Sequence, residues 1–284
     1  MLNAIKELLG IREEKSKTTV GKEIIENIEA WSARYSKWRF NEDLANYPFV
    51  ENRYAPFTPA RRALPMLNLA LISSAGAYID GTKSFDIGST EGDISFREIP
   101  REVEAKDLAY SVRGYNPKAV LEDRNAQIPI DRLLEYEANA VIGSLNEVWW
   151  SFCGFIPNAR LVAEELAPRI TERLHRYNVQ AALLIPASKL CHQSVAIVAR
   201  KIEQSGIPTM VIAVDKEVVE KVRPPRAGYY KGEYGSVAGK PNWKQYQLRV
   251  LDEALRWIEP FDQPGLRKLV VELETETEKE RGEQ

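Results

Sequence analysis

The sequence predicts an α/β protein with a mostly parallel, doubly wound (Rossmann-like) sheet and a helical N-terminal extension, and three observations support this prediction. Short apolar runs such as MLNLALISS and AALLIPA have the composition of strands that are buried on both faces of a parallel sheet. Amphipathic helical segments alternate with these runs, as they do in βαβ units. The chain has 284 residues, of which 44% are hydrophobic, and a chain of this length can bury a large core.

We expect three parts: an N-terminal arm over residues 1–65, an α/β catalytic-type domain over 66–262 and a charged C-terminal tail over 263–284. Apolar residues in TTVGKEIIENIEAWSARYSKW recur at helical spacing. Prolines between residues 48 and 65 then favour an extended segment that wraps over the core. The end of the tail, ELETETEKERGEQ, is highly charged and is predicted to be disordered.

The first half of the α/β domain is predicted to begin with a buried strand over residues 67–73. A second strand is expected over 107–112, in DLAYSV. The segment PIDRLLEYEANAVIGSL predicts a helix that begins near Pro129 and then a strand over 140–144. The next helix, in ARLVAEELAPRITERLHRYNV, should bend near Pro168, because proline lacks the N–H of a helical hydrogen bond.

Residues 181–214 are predicted to form one βαβ unit. AALLIPA is a buried strand, the helix that begins near Cys191 ends at Gly206, and PTMVIAV is the returning strand. A connection of this kind joins parallel strands by a right-handed crossover. An amphipathic helix in YQLRVLDEALRWIE closes the domain.

Composition disfavours several classes of function. The formal net charge of −2 gives no bulk electrostatic reason for nucleic-acid binding, and no apolar run is long enough to span a membrane. The N-terminus, MLNAIKELLGIREEKSK, predicts an amphipathic helix rather than a secretory signal. Two cysteines allow at most one disulfide, which favours a location in the reducing cytoplasm.

The usual cofactor signatures are missing from the sequence. It contains no P-loop, no dinucleotide-binding GxGxxG motif, no HExxH zinc motif and no GxSxG nucleophile motif. The two histidines and two cysteines match no usual zinc-finger spacing. We therefore identify no metal ligands and no cofactor bound by this chain, and a carboxylate site for a hard cation stays open as an alternative.

Cys191 and His192, in ASKLCHQSV, are the candidate catalytic residues. They lie in the loop or first helical turn after a parallel strand, where ligands gather in α/β sheets. The helix N-terminus favours a thiolate, and positive charge from Lys189 and His192 would lower the pKa of Cys191 further. The alternative is a buried, inert cysteine beside a solvated histidine. Cys153, among the aromatic residues of WWSFCGF, is expected to lie in the core, with a redox role as its alternative.

Serines beside two strand ends are candidate substrate-binding residues. Because the carboxyl ends of parallel strands open on the same edge of a sheet, we expect Ser73, Ser74 and Gly76 to face Ser188 and Cys191 across one cleft. Exposed backbone N–H groups near Ser73 would then help to bind a substrate carboxylate.

Two loops are expected to reach this cleft. GDISFREIP carries Asp93, Ser95 and Arg97, and Arg97 is predicted either to bind a substrate carboxylate or to pair with a carboxylate of its own loop. The glycine- and tyrosine-containing loop at 228–241 would cover the substrate or form a plain surface turn. Asn125 is a further candidate for substrate binding, with a turn-forming side chain as its alternative.

Six stretches of the chain, in order, resemble the B-subunit family of the glycine, sarcosine, betaine and D-proline reductases. They are PFTPARRAL, GDISFREIP, EDRNAQIPIDRLLE, VIGSL with SFCGF, CHQSVAIVARKIEQSGIPT and PRAGYYKGEYGSVAGKPNWKQYQLRVLDEALRWIE. Together they cover most of residues 55–260. In the D-proline form of the family, the reactive selenocysteine or cysteine precedes HQ, and Cys191 occupies that position in CHQ.

The resemblance implies a selenium-free subunit in which Cys191 attacks the carbon of an amino-acid-like substrate, so that a C–N bond is cleaved reductively. It also implies a partner subunit that carries a pyruvoyl group and holds the small-molecule substrate, together with a thiol donor. Because no CxxC spacing is present, oxidised Cys191 would be reset by Cys153, by a partner thiol or by a small thiol. We further expect a homo-oligomer.

Two alternative functions remain at the level of sequence. One is thiol-dependent cleavage of another carbon–heteroatom bond without a pyruvoyl partner. The other is a non-catalytic binding or assembly subunit with the same fold. The region SVRGYNPKAVLEDRN lacks the histidines that family members tend to carry there, which weakens the expectation of histidine-assisted proton transfer in that region.

Overall fold

The structure is a computed structural model that describes residues 23–271. The amphipathic helix predicted at the N-terminus, over residues 1–17, lies outside the described residues. So does the disorder predicted for residues 272–284.

The core of the described chain is an eight-stranded sheet with the order β10-β9-β8-β7-β1-β6-β3, and β5 also pairs with β1. Numbered along the chain, the strands are β1 (Asn68–Ser73), β2 (Ala77–Ile79), β3 (Phe96–Pro100), β4 (Leu108–Tyr110), β5 (Ser144–Leu145), β6 (Val148–Phe152), β7 (Ala181–Ile185), β8 (Thr209–Ala213), β9 (Arg226–Tyr229) and β10 (Gly265–Lys268). In the main sheet only the pairing of β3 with β6 is antiparallel. β2 and β4 form a separate two-stranded sheet.

Helices cover both faces of the main sheet. They are α1 (Ile28–Tyr35), α2 (Lys118–Glu122), α3 (Ile130–Ala138), the composite α4 (Ala159–Leu161, π-helical Val162–Leu166, Ala167–Arg176), α5 (Lys189–Gln204), α6 (Lys216–Val222) and α7 (Lys244–Leu255), with 3₁₀ turns at Leu64–Met66, Ala105–Asp107 and Arg124–Ala126. One buried cluster joins a face of the sheet to α3 and α7, and a second joins the opposite face to α4, α5 and α6. The predicted α/β fold with a mostly parallel, doubly wound sheet is confirmed.

The order of the parallel strands creates a switch point between β1 and β7. From β1, the chain adds β6 on one side and then β7, β8, β9 and β10 on the other. The register aligns Ser73 of β1 with Ile185 of β7 and Ser151 of β6, so the carboxyl ends of these strands lie together. Ligands of open α/β sheets bind in the crevice at such a point, and Cys191 follows β7 there.

The prediction of a strand over 140–144 is wrong in its position. Ala140 adopts a left-handed conformation with φ 55° just after α3, and the chain forms β5 and β6 further on. The aromatic residues Trp149, Trp150 and Phe152 are buried. The aromatic run itself therefore forms the buried strand.

Three other elements differ in detail from the sequence prediction. The strand expected over 107–112 is present as β4, but it pairs with β2 instead of the main sheet. The bend expected near Pro168 takes the form of the π-helical segment just before it, since proline cannot donate to a regular helical ladder. The sheet also extends past residue 262, because β10 pairs with β9.

The N-terminal arm packs on α5, the helix that begins near Cys191. Buried Arg200 of α5 donates to the backbone carbonyls of Glu23, Ile24 and Tyr54. These bonds satisfy a guanidinium that would otherwise be costly to bury. They also tie two parts of the arm to the outer side of α5.

A buried ion pair holds the next part of the arm, at Thr58, against α5. Glu203 of α5 and Arg226 of β9 form a salt bridge, and both side chains are fully buried. Glu203 also accepts the N–H of Thr58 at 2.6 Å and that of Thr209 at 2.8 Å. Burial raises the pKa of Glu203 to about 7, although the charge of Arg226 and the hydrogen bonds from Thr209 and Thr58 act to lower it.

Candidate active site at the start of helix α5

Cys191 lies in the first turn of α5, where Ser188 is the N-cap. The backbone of Ser188 is extended, and its Oγ accepts the N–H of Cys191 at 3.2 Å, an arrangement that favours the start of a helix after a serine. The same hydroxyl donates to Sγ of Cys191 at 3.0 Å. The sulfur is thus placed beside an O–H donor and the N–H groups of a helix end, both of which stabilise a negative charge.

The sulfur of Cys191 is enclosed. The residue is 1% exposed, and Sγ lies 3.8 Å from the carbonyl oxygen of Ser74. A Cβ at Gly154 would fall 2.9 Å from this sulfur and 2.5 Å from Cβ of Ser74. Burial raises the pKa of Cys191, while hydrogen bonds from Ser188, Ser74 and the backbone of Ala187 act to lower it. The net direction in this closed arrangement is opposite to the thiolate expected from position at a helix N-terminus.

His192 is a buried, neutral side chain that makes hydrogen bonds to two turns. Its Nδ1 lies 2.7 Å from the carbonyl oxygen of Ser188, and its Nε2 accepts the N–H groups of Val214 and Asp215 at 3.1 and 3.3 Å. These partners assign the proton to Nδ1. Burial lowers the pKa of His192 to about 4. The positive charge expected from His192 beside the thiol is therefore absent at neutral pH.

Ser74 joins the ends of β1 and β7 across the switch point. Its N–H donates to the carbonyl of Ile185 at 3.1 Å, and its Oγ accepts the N–H of Ala187 at 3.0 Å. Ser73 is fully buried within β1, and its Oγ accepts the N–H of Ala75 at 3.4 Å. Of the two serines, Ser74 is the one whose backbone contacts the thiol.

Arg97 lies level with the carboxyl ends of the parallel strands, at the same end of the sheet as Cys191. It pairs with Ser151 of β6, which aligns with Ser73 of β1 and through it with Ile185 of β7. Three strand spacings separate β3 from β7, which is on the order of 14 Å. The expected position on a shared edge is therefore observed, at a distance of several strands.

The guanidinium of Arg97 is engaged by its own surroundings. Its N–H groups make five hydrogen bonds, to the carbonyls of Lys83, Ser84 and Phe96 and to the hydroxyl of Ser95. Its Cζ also lies 4.2 Å from the ring centroid of Phe85. Because a guanidinium has five N–H donors, a substrate carboxylate would have to displace one of these bonds.

Asp93 braces the same loop. Its carboxylate accepts the N–H groups of Asp86 and Ser95, each at 2.7 Å. Burial acts to raise the pKa of Asp93, but hydrogen bonds from Ser95 and Asp86 and the charge of Arg97 lower it overall. The loop is thus held by contacts among its own residues.

Asn125 is held in the turn before α3. Its amide nitrogen donates to Asp123 at 3.1 Å and to Asp131 at 2.7 Å, and its Oδ1 accepts the N–H of Asp131 at 3.1 Å. These bonds match the turn-forming alternative. They direct the side chain to its own neighbours in sequence.

Gln127 is a residue of the site that sequence reasoning missed. It is fully buried, its Nε2 donates to the carbonyl of Pro186 at 3.0 Å, and its Oε1 accepts the N–H of Val237 at 3.2 Å. It thereby connects the end of β7 to the loop at 228–241. Its only signal in the sequence is its place within EDRNAQIPIDRLLE.

The segment 114–116 covers the thiol from one side. The hydroxyl of Tyr115 donates to the carbonyl of Ala75 at 2.7 Å. Gly114 has φ +78°, and a Cβ there would fall 2.5 Å from the ring of Phe155 and 3.3 Å from Cβ of Ser188. Only a glycine allows the segment to pass this close to the start of α5.

The loop at 228–241 lies over the start of α5, as expected. The N–H of Gly235 donates to the carbonyl of Ala187 at 2.9 Å. The hydroxyl of Tyr234 donates to Asp215 at 2.6 Å, and its ring lies 5.7 Å from the ring of His192. This loop and the segment 114–116 together close the crevice at the switch point.

A cleft of about 560 Å³ opens between this loop and α2. Its lining carries charges of both signs, from Lys118, Lys231, Lys240, Glu122 and Glu233. Asn116 and Tyr234 also line it, and both belong to the segments that close the crevice. The cleft therefore leads to the cover of Cys191.

Cys153 is the second free cysteine and is also buried. Its Sγ lies 3.6 Å from the carbonyl oxygen of Ser111. Burial, together with the charge of Cys191, raises the pKa of Cys153 to about 12. Its surroundings are those of the core residue predicted from the aromatic stretch.

The described residues contain neither a cluster of metal-binding side chains nor a helix suited to span a membrane. Within residues 23–271, no group of three or more histidine, cysteine, aspartate or glutamate side chains could hold a metal ion. None of the helices in this part of the chain is long and apolar enough to cross a membrane.

Comparisons with known proteins agree with the resemblance of the motifs. Residues 47–187 match the family model for glycine/sarcosine/betaine reductase selenoprotein B. The chain is 32% identical over 209 residues to D-proline reductase subunit gamma of Acetoanaerobium sticklandii, a match that covers 74% of this chain and 85% of the relative. No solved structure matches significantly.

A second relative is more distant and longer. The chain is 27% identical over 170 residues to glycine reductase complex component B subunit gamma of Symbiobacterium thermophilum, covering 58% of this chain and 38% of that relative. The chain thus spans most of the D-proline relative and well under half of the glycine relative. Because the family model matches and the D-proline relative is covered over most of its length, the chain belongs to the glycine/sarcosine/betaine reductase selenoprotein B family.

Proposed function

We propose that this chain is a thiol-dependent reductase subunit in which Cys191 cleaves the C–N bond of an amino-acid-like substrate. Relatives are named as D-proline and glycine reductase subunits, and Cys191 occupies the position where the resemblance expects the reactive chalcogen. The observation that carries the proposal is the position of Sγ, at a helix N-terminus beside the switch point and 3.0 Å from the hydroxyl of Ser188.

The reaction consumes two thiols. In the first step Sγ of Cys191 attacks the substrate carbon that bears nitrogen, an S–C bond forms, and the nitrogen leaves as an amine with the thiol proton. In the second step another thiol attacks Sγ, and the S–C bond breaks. The carbon takes the proton of that thiol, and a disulfide remains. The two thiols are oxidised, and the C–N bond is replaced by C–H and N–H bonds.

Ser188 is the residue that stabilises the attacking sulfur in this scheme. Its hydroxyl donates to Sγ of Cys191, and the N–H groups of the first turn of α5 add to the stabilisation of negative charge. The carbonyl of Ser74 is a hydrogen-bond acceptor for the neutral thiol. The site can therefore hold both protonation states of Cys191.

We assign the second thiol to an external donor. Cys153 is 4% exposed, and burial is the main cause that raises its pKa to about 12. A thiol with such a pKa is almost wholly protonated at neutral pH and attacks slowly. A partner thiol or a small dithiol is a better nucleophile for the second step.

In this scheme the substrate approaches Cys191 from the cleft of about 560 Å³, whose lining includes the covering residues Asn116 and Tyr234 but not Cys191 itself. The charges of both signs in its lining suit an amino acid, which carries both an ammonium and a carboxylate. The resemblance implies that the substrate is held on a pyruvoyl-containing partner subunit. In that case the cleft is where the partner presents it, and Arg97 would take part only after releasing its present carbonyl partners.

A second candidate function is a non-catalytic assembly subunit of a reductase complex. The observation that favours it is the burial of Cys191, which is 1% exposed and has a raised pKa. An inert core cysteine would look the same in a closed structure. The two functions differ in whether the thiol becomes reactive in solution.

Labelling of Cys191 by iodoacetamide as a function of pH separates the two functions. A Cys153→Ala variant leaves Cys191 as the only thiol, since the chain has two cysteines. Catalysis requires that the variant be labelled while it remains folded, and that it support release of the reduced product when assembled with its partner subunits, D-proline or glycine, and a dithiol. A folded variant that is never labelled, and an assembled complex that works equally well with Cys191→Ser, would favour the assembly function.

A further inference from the structure

The cover over Cys191 consists of parts with different attachments. Residues 231–236, here called the lid, are followed by Val237 and Ala238, which are fully buried. The N–H groups of these two residues donate to Gln127 at 3.2 Å and to the carbonyl of Ala126 at 2.8 Å. The segment after the lid is therefore fixed to the protein interior.

The lid itself is attached in part through an exposed side chain. Tyr234 is 38% exposed, and its hydroxyl donates to Asp215 at 2.6 Å. Gly235 has φ +80° and donates its N–H to the carbonyl of Ala187. A Cβ at Gly235 would fall 2.5 Å from the carbonyl oxygen of Asn116, so the lid rests directly on the segment 114–116.

We propose that the hydrogen bond between Tyr234 and Asp215 is a latch, and that its release lets the lid lift so that Cys191 becomes accessible to substrate and to the second thiol. The proposal rests on the proposed function in so far as a nucleophile must be reached. Lifting of the lid would let reagents from the cleft reach a thiol that is 1% exposed in the closed structure.

The latch is connected to the thiol by a continuous chain of contacts. Asp215 is the N-cap of α6, where its Oδ1 accepts the N–H of Val218 at 3.1 Å. Its own N–H donates to His192 at 3.3 Å, and His192 binds the carbonyl of Ser188, whose hydroxyl contacts Sγ. Asp215 is thus connected to the thiol through hydrogen bonds, and the proposal assigns the movement to Tyr234.

The test is the rate at which iodoacetamide labels Cys191 in the Cys153→Ala background. Tyr234→Phe removes the hydroxyl of the latch and keeps the ring, and we expect labelling at least about tenfold faster, a factor that corresponds to about 1.4 kcal/mol. Tyr54→Phe is the matched control, because Tyr54 is 62% exposed and lies in the N-terminal arm. Its labelling rate should equal that of the background.

A second measurement separates opening of the lid from general loosening. In a Cys191→Ala background, Tyr234→Phe should leave the labelling rate of Cys153 unchanged, whereas global destabilisation would accelerate it. Equal labelling of Cys191 with and without the Tyr234 hydroxyl, or equal acceleration at both cysteines, would overturn the latch. Faster labelling of Cys191 in a complex without reductase activity would keep the latch and reject the proposed function. Reductase activity that depends on Cys191, together with no effect of Tyr234→Phe on labelling, would keep the proposed function and reject the latch.

Discussion

Replacing Ser188 with alanine tests whether the helix cap also controls the chemistry of the thiol. The hydroxyl accepts the N–H of Cys191 at 3.2 Å and donates to its sulfur at 3.0 Å. Loss of the first bond removes an N-cap, which costs about 1 kcal/mol of unfolding free energy. For a domain of this size, the melting temperature should fall by about 2–4 °C.

Loss of the second bond acts on reactivity. The hydroxyl of Ser188 is one of the groups that lower the pKa of Cys191 against the effect of burial, so its removal raises that pKa further. A hydrogen bond to a charged group contributes about 1.5–3 kcal/mol, and 1.4 kcal/mol is a factor of ten. Labelling of Cys191 by iodoacetamide at pH 8 should therefore slow by at least about tenfold in the Cys153→Ala background.

Ser194→Ala is the matched control for this experiment. Ser194 lies on the same helix, is fully buried and donates to the carbonyl of Gly154 at 2.8 Å. Its loss removes a buried serine bond without removing a donor to the sulfur, so it should lower stability and leave the pH dependence of labelling unchanged. Equal labelling profiles for Ser188→Ala and Ser194→Ala would refute the assigned role of the Ser188 hydroxyl.

Three further predictions concern packing, the arm and pH. Gly154→Ala places a Cβ 2.9 Å from the sulfur of Cys191, so urea unfolding should show a loss of about 1–3 kcal/mol, and an unchanged midpoint would contradict this packing. Glu203→Ala leaves its fully buried arginine partner uncompensated and should cost about 3–5 kcal/mol in the same assay, whereas Glu220→Ala, from an exposed pair, should leave the midpoint unchanged. His192 has a pKa lowered to about 4 and is protonated in the unfolded chain below about pH 6.5. The contribution of His192 to the unfolding free energy should thus fall by about 3 kcal/mol as pH drops through that window, and the difference in unfolding free energy between the unchanged chain and His192→Gln should shift with pH by this amount.

The fold could be predicted from the sequence because the patterns that indicate its strands and helices are local in the chain. Continuous apolar runs predicted β1, β7 and β8, and Gly206 predicted the end of α5, whose start was expected near Cys191 and lies at Lys189. The strand expected over 140–144 lies further along the chain, as β5 and β6. The tryptophans of β6 are buried, and the chain before these strands ends a helix through the left-handed Ala140, a conformation that sequence patterns do not reveal for alanine.

The candidate site could be predicted from the sequence only in part, because several of its contacts join residues far apart in the chain. The sequence did predict that Cys191 and Ser74 lie close together. The carboxyl ends of parallel strands meet at one end of the sheet, and this rule holds for open α/β sheets in general. The neutral state of His192 depends on N–H groups 22 and 23 residues away. The role of Gln127 likewise depends on Pro186 and Val237, and no local pattern predicts such partners.

The most direct test of the central claim compares Cys191→Ser and Cys153→Ser in the assembled reductase, with D-proline or glycine as substrate and a dithiol as donor. If Cys191 is the nucleophile, the first variant loses product formation, and the second retains it within a few-fold. Serine at position 191 can still bond to the carbonyl of Ser74 and to Ser188, so thermal melting should report a folded protein for both variants. Full activity of a folded Cys191→Ser complex would contradict the account.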